Sequence, residues 1–158
     1  MSFITTDNAD KFSYNDCILK KGAFENGGLS LEVEALIVRA NNEMNQNGTD
    51  SYAGETYITF DDAEPEKLIL EGYESYDADG NLRGAVADAD ISLNNMDTIG
   101  LFKNSYLTGI RRTEDGKYAV EIEIPDEDPS AITDVYELTL KASRVVFSWD
   151  RYMNRVQY

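Results

Sequence analysis

Histidine is absent from this 158-residue chain, and cysteine occurs once, at Cys17. Without histidine there is no Ser-His-Asp or Cys-His catalysis, no His-ligated zinc and no imidazole pH switch. A single cysteine excludes a disulfide within the chain and any CxxC redox or zinc motif. Cys17 lies in the apolar stretch Asp16-Cys17-Ile18-Leu19 and reads as a buried, inert thiol. Long apolar runs are missing too. The longest, Ala35-Leu36-Ile37-Val38, ends at Arg39, far short of the roughly 18 residues of a membrane helix. The N-terminus has neither the basic nor the apolar region of a secretory signal, so a cytoplasmic location is expected. Basic residues are scarce: 14 Lys and Arg face 30 Asp and Glu, a net charge of −16. That balance argues against binding nucleic-acid phosphates or an anionic membrane through the bulk surface.

What is present is alternation. Leu29, Leu31, Val33, Ala35 and Ile37 alternate with Ser30, Glu32, Glu34 and Leu36, a period of two that reads as a half-buried strand. Tyr118, Val120, Ile122 and Ile124 alternate with Ala119, Glu121 and Glu123 in the same way. Thr56–Phe60, Lys67–Tyr73, Val135–Lys141 and Arg144–Trp149 are further strand candidates. Between them stand turn sequences: Glu25-Asn26-Gly27-Gly28, Asp79-Gly80-Asn81 and Glu114-Asp115-Gly116-Lys117. Asn41–Asp50 reads as a polar loop, and Pro125-Asp126-Glu127-Asp128-Pro129 as an acidic break that no central strand crosses. A short helix is predicted within Ser92–Lys103, capped by Ser92, with Leu93, Met96 and Ile99 at helical spacing and Gly100 at its end. The C-terminal stretch from Val146 is read as a strand that runs on into a turn or short helix.

The two alternating segments each follow a similar lead-in and a glycine turn. Asn15–Phe24 precedes Leu29–Glu34, and Asn104–Ile110 precedes Tyr118–Glu123. Each is followed by a polar or acidic loop, a Tyr-led strand (Tyr52–Phe60 or Tyr136–Leu140) and a further apolar strand. One domain over 1–158 is expected, with pseudo-repeats over 12–76 and 104–157 joined by a long hairpin and the short helix. The fold expected is all-β: an antiparallel barrel or two-sheet sandwich that buries one face of each four-strand half.

Carboxylates dominate the candidate chemistry. Glu32 and Glu34 share one strand face, as do Glu121 and Glu123. Such pairs serve general acid–base chemistry when held in a cleft with separated pKa values, and equally form an ordinary solvated face. Asp77-Ala78-Asp79-Gly80-Asn81 resembles half of a calcium loop. The glycine follows the second Asp immediately, and position twelve is Asp88, so the EF-hand pattern fails. Asp77, Asp79, Asp88 and Asp90 remain candidates for an irregular calcium site, against a hairpin turn with flanking charges. Among ten Tyr, Tyr57 and Tyr73 stand out as partner-binding candidates beside the four Glu. The acidic 125–129 run is a docking candidate or a solvated loop.

Phe12-Ser13-Tyr14-Asn15-Asp16-Cys17-Ile18 followed by Leu29-Ser30-Leu31-Glu32-Val33 resembles the opening of several uncharacterised bacterial families, some assigned as immunity proteins of polymorphic toxin systems. The likeness covers about the first quarter of the chain. Asn15 replaces the His that often precedes the motif's Asp, here Asp16. The resemblance implies an inhibitor of a basic toxin, many such toxins being basic nucleases. Three functions follow as expectations. The first is a non-enzymatic acidic binding protein, most concretely an immunity-type inhibitor, without cofactor and monomeric or homodimeric. The second is a ligand- or carbohydrate-binding β module, and the third a carboxylate-dependent hydrolase.

Overall fold

The computed structural model describes residues 2–128 and 133–157. Pro129, the far end of the acidic break, lies outside them. Sixteen strands follow in chain order: β1 (Phe3–Thr6), β2 (Phe12–Ser13), β3 (Ile18–Glu25), β4 (Gly28–Glu34), β5 (Ile37–Val38), β6 (Ser51–Ala53), β7 (Thr56–Asp61), β8 (Glu64–Leu70), β9 (Tyr73–Tyr76), β10 (Leu82–Val86), β11 (Ala89–Ile91), β12 (Ser105–Arg112), β13 (Tyr118–Ile124), β14 (Asp134–Lys141), β15 (Arg144–Trp149) and β16 (Tyr152–Arg155). The fold is all-β, as the alternation predicts, and its pairings are antiparallel. No helix among the described residues is long and apolar enough to cross a membrane.

Ten strands form one sheet in the order β1-β15-β7-β4-β3-β12-β13-β14-β8-β11. Among the described residues it does not close into a barrel, because β1 and β11 end it as open edges. It folds over at its middle into a sandwich-like arrangement. There β3 and β12 share only two registered pairs, Ile18↔Tyr106 and Leu19↔Ser105. The apolar faces of the two wings meet in one core. Leu29, Leu31, Val33, Ile58, Phe60 and Phe147 come from one wing, and Tyr118, Val120, Ile122, Leu138, Leu140 and Leu68 from the other. The Phe60 and Tyr118 rings meet edge to face at 5.5 Å across it.

The pairings have a pseudo-twofold order. In the first half β3 pairs β4 and β4 pairs β7; in the second β12 pairs β13 and β13 pairs β14. The registers slip at matching places, between Leu19 and Lys21 and between Leu107 and Gly109. The fourth strands are exchanged. β8, which follows β7, pairs β14; β15, which follows β14, pairs β7. Alternation along a strand specifies which face is buried but not which neighbour lies beside it, so this exchange has no signature in the pattern.

A small sheet, β16-β6-β5-β2, closes one end. Its Phe12 stacks on Phe147 at 4.2 Å. The polar loop over 41–50 is not merely solvated: Asn42 and Asn45 are buried. The Asn45 amide donates to the carbonyls of Val38, Arg39 and Thr49, so it replaces missing ladder partners where the backbone leaves the sheet.

The helix predicted within Ser92–Lys103 is not formed. Only a 3-10 turn, Leu93–Asn95, stands there, followed by turns. Ser92 does cap it, accepting from the Asn94 N–H at 3.3 Å, and Gly100 has φ +68°. Asn94, Asn95 and Asp97 favour local side-chain bonds over a continuous helix. Burial of Leu101 and Phe102 then holds the segment against the core.

Candidate functional site

The four glutamates are distributed by the pseudo-twofold order. Across the fold line run the registered pairs Glu34↔Ile18, Ile18↔Tyr106 and Tyr106↔Glu123. Directly opposed residues project from the same face, so Glu34 and Glu123 flank an exposed Ile18–Tyr106 pair. The next row differs between the wings. Glu32 lies between Lys21 and Tyr57, whereas Glu121 lies between Gly109 and Glu137.

That difference sets the charge of each wing. On the first, Lys20 pairs Glu34 and Lys21 pairs Glu32, each at 3.1 Å. A hydrogen bond shared with the Glu55 carboxyl, and then Lys21, hold Glu32 below its ordinary range. The exposed Tyr57 hydroxyl donates to Glu55 at 3.1 Å. On the second wing the positions matching Lys20 and Lys21 are Thr108 and Gly109. Thr108 donates a neutral hydrogen bond to Glu121 at 2.9 Å, and Arg111 pairs Glu137 at 3.2 Å. No ion pair among the described residues reaches Glu71, Glu121, Glu123, Asp88 or Asp90. Burial, then the charges of Glu121, Glu137 and Asp88, push the Glu71 carboxyl up. Asp90 sits opposite Ile69, itself opposite Glu137, so the acidic surface runs from β13 to the β11 edge.

Glu121, Glu123, Asp88 and Asp90 therefore share one acidic wing, while Glu32, Glu34 and Tyr57 occupy the other. Tyr73 belongs to neither: it lies on β9, in a separate two-stranded sheet with β10. The calcium candidates are not brought together. Asp77 and Asp79 sit at the tip of this hairpin, beyond the pair Tyr76↔Leu82, whereas Asp88 lies past the pair Tyr73↔Val86 at its base. The ladder between them spans roughly 10 Å, at about 3.3 Å per residue. No group of three acidic side chains placed to hold a metal occurs among the described residues. The Asp77 carboxylate instead accepts from the Asp79 and Asn81 N–H groups, each at 2.9 Å, and shapes the turn. Asp88 accepts from the Gly72 N–H at 2.6 Å and fixes the base.

Composition alone does not point to one further feature, a groove of about 470 Å³ beside Glu34, lined also by Tyr52, Glu55, Arg151 and Met153. Ala35 lines it with φ +59°, a left-handed conformation at the exit from β4. This conformation costs an L-residue about 1–2 kcal/mol. Ala35→Gly is therefore expected to raise stability by about 0.5 kcal/mol, after the unfolded-state entropy of glycine is deducted. Urea midpoints of the two proteins check it. The Cys17 thiol is buried on the core side of the fold line, and burial pushes its pKa up to about 12, so it is not a nucleophile at neutral pH. No family model matches this chain, and no curated protein or solved structure is significantly similar to it.

Proposed function

We propose that this is a non-enzymatic acidic binding protein whose partner is a basic protein, most concretely an immunity-type inhibitor of a basic toxin. The observation that carries the reading is the wing bearing Glu71, Glu121, Glu123, Asp88 and Asp90 without ion pairs, on a chain of net charge −16. A surface with an excess of carboxylates steers a basic partner and accelerates encounter, although Arg111 also stands on this wing, paired with Glu137. On the other wing Lys20 and Lys21 pair the matching glutamates. The Ile18–Tyr106 pair beside the acidic wing supplies the apolar and aromatic contact that interfaces favour.

The test compares wild-type protein with Glu121→Gln/Glu137→Gln as baits in a lysate of the native host, at low and raised salt. The expected result is a stoichiometric basic protein, held by the wild type at low salt and released at high salt. The double variant is expected to associate with it about tenfold more slowly. Retention that is indifferent both to salt and to the two substitutions would overturn the reading. A second reading, a ligand- or carbohydrate-binding module, has the 470 Å³ groove in its favour, where Tyr52 and Met153 stand beside Glu34, Glu55 and Arg151. A glycan and metabolite screen by thermal shift, with Arg151→Ala as control, distinguishes it.

A further inference from the structure

The two-stranded ribbon of β9 and β10, between the two halves, has no counterpart in the pseudo-twofold order of the large sheet. β8 and β11 pair within the large sheet through Leu68↔Ile91 and Leu70↔Ala89. The same hairpin continues as β9 and β10, past the last pairing of β8 with β14 at Leu70↔Tyr136. Every residue of β9 and β10 is exposed. Tyr73 is 44% exposed, Tyr76 55%, Leu82 58% and Val86 51%. A strand packed on a body shows apolar residues on one face only. Here Tyr73 and Val86 oppose each other on one face, and Tyr76 and Leu82 on the other.

A naked two-stranded ribbon is marginal in water, and this one is fastened at both ends. The Asp77 carboxylate and Gly80, at φ +83°, shape the tip. At the base Asp88 holds the Gly72 N–H, and a side chain at Gly72 would collide with the backbone of Val86, Ala87 and Asp88. Pre-ordering of this kind lowers the entropy lost on binding. Between Glu71 and Asp90 there are six carboxylates and a single cation, Arg83.

We infer that the β9–β10 arm inserts into a cleft of a basic protein, which encloses both faces of the ribbon. This rests on the reading proposed above and names the part of the chain that reaches the partner. A flat partner surface would cover one apolar face and leave the other in water. A second copy of this chain carries the same net charge of −16 and an arm of the same sign, so charge selects a basic partner. Among the described residues the outer backbone edges of β9 and β10 have no ladder partner and are available to the cleft walls.

The experiment places a photo-crosslinking benzoyl-phenylalanine at position 73, 76 or 57 of the full chain and irradiates each in a lysate of the native host. Positions 73 and 76 report the two faces of the arm, and 57 the neutralised wing. Positions 73 and 76 are both expected to link to the same basic protein, and 57 not to. Tyr76→Ala/Leu82→Ala is expected to weaken retention of that protein at least tenfold, with the far-ultraviolet spectrum and unfolding midpoint kept, since both side chains are exposed. Capture of a basic protein that links at neither arm position overturns the inference and leaves the preceding reading standing. Linkage at only one face overturns the cleft. Linkage to a second copy overturns the basic partner. Absence of any salt-sensitive basic protein overturns both readings.

Discussion

Trp149→Ala is expected to lower the unfolding free energy by about 3–5 kcal/mol, the range for removing a fully buried large aromatic. Trp149 is 1% exposed. Its ring stacks on Phe3 at 5.6 Å and meets Phe12 at 5.6 Å and Tyr152 at 6.1 Å edge-on. Phe3 belongs to the edge of the large sheet, and Phe12 and Tyr152 to the small one, so the indole joins the two sheets. Trp149→Phe keeps a ring there and is expected to cost about half as much. Urea unfolding followed by circular dichroism measures both, since Trp149 is the single tryptophan and the variants lose the usual fluorescence signal. A loss below about 1 kcal/mol would mean that the end sheet packs without this joint.

The second large effect is alkaline. Burial pushes Cys17 up to about 12. Burial, and then the hydrogen bond to Asp7, does the same for Tyr118. Burial also raises Tyr14 well above its usual range. An unfolded thiol titrates near ~8.5 and a phenol near ~10. In each case the folded pKa exceeds the unfolded one, so the unfolded state releases the proton first. The stabilisation is complete below the unfolded pKa and is lost as pH rises toward about 12. At about 1.4 kcal/mol per unit, Cys17 accounts for roughly 5 kcal/mol and Tyr118 for roughly 3 kcal/mol, a large part of a typical total of about 5–15 kcal/mol. Stability is expected to be level from pH 7 to 8, to fall above about 9 and to vanish near 11–12. Urea midpoints against pH measure it. In Cys17→Ala the fall should begin about one unit later, with the phenols. An onset unmoved by that substitution would show that the thiol is not what titrates.

The all-β class was legible because Leu29-Ser30-Leu31-Glu32-Val33 and Tyr118-Ala119-Val120-Glu121-Ile122 carry the strand period without interruption. The turn at Asn26-Gly27 was legible for a related reason: both residues take positive φ, 53° and 76°. The partners of the glutamates were not. Whether Glu32 meets Lys21 depends on a register slip beside Lys20, and Glu121 meets Gly109 through a matching slip in β12. Such slips leave no trace in composition. The hairpin at Asp79-Gly80 was legible from its turn, but its exposure was hidden by its own residues. Tyr73, Tyr76, Leu82 and Val86 are what a core strand uses, and only the position of the last β14 pairing places them in solvent. The Ser92–Lys103 helix failed for the opposite reason, since three apolar residues at helical spacing were outweighed by asparagines and a glycine.

Exchange of β8 and β15 between the halves has a consequence during synthesis. β7 is finished at Asp61, yet the strand that covers its outer edge begins only at Arg144. At about 5–20 residues per second, the ribosome leaves that edge bare for roughly 4–17 s. Throughout that interval the nascent chain presents Ile58 and Phe60 beside an unpaired backbone, in a crowded polysome where neighbouring copies carry the same vacancy. Translation between Asp61 and Arg144, rather than the mature protein, is then the stage at which this edge is open to another chain.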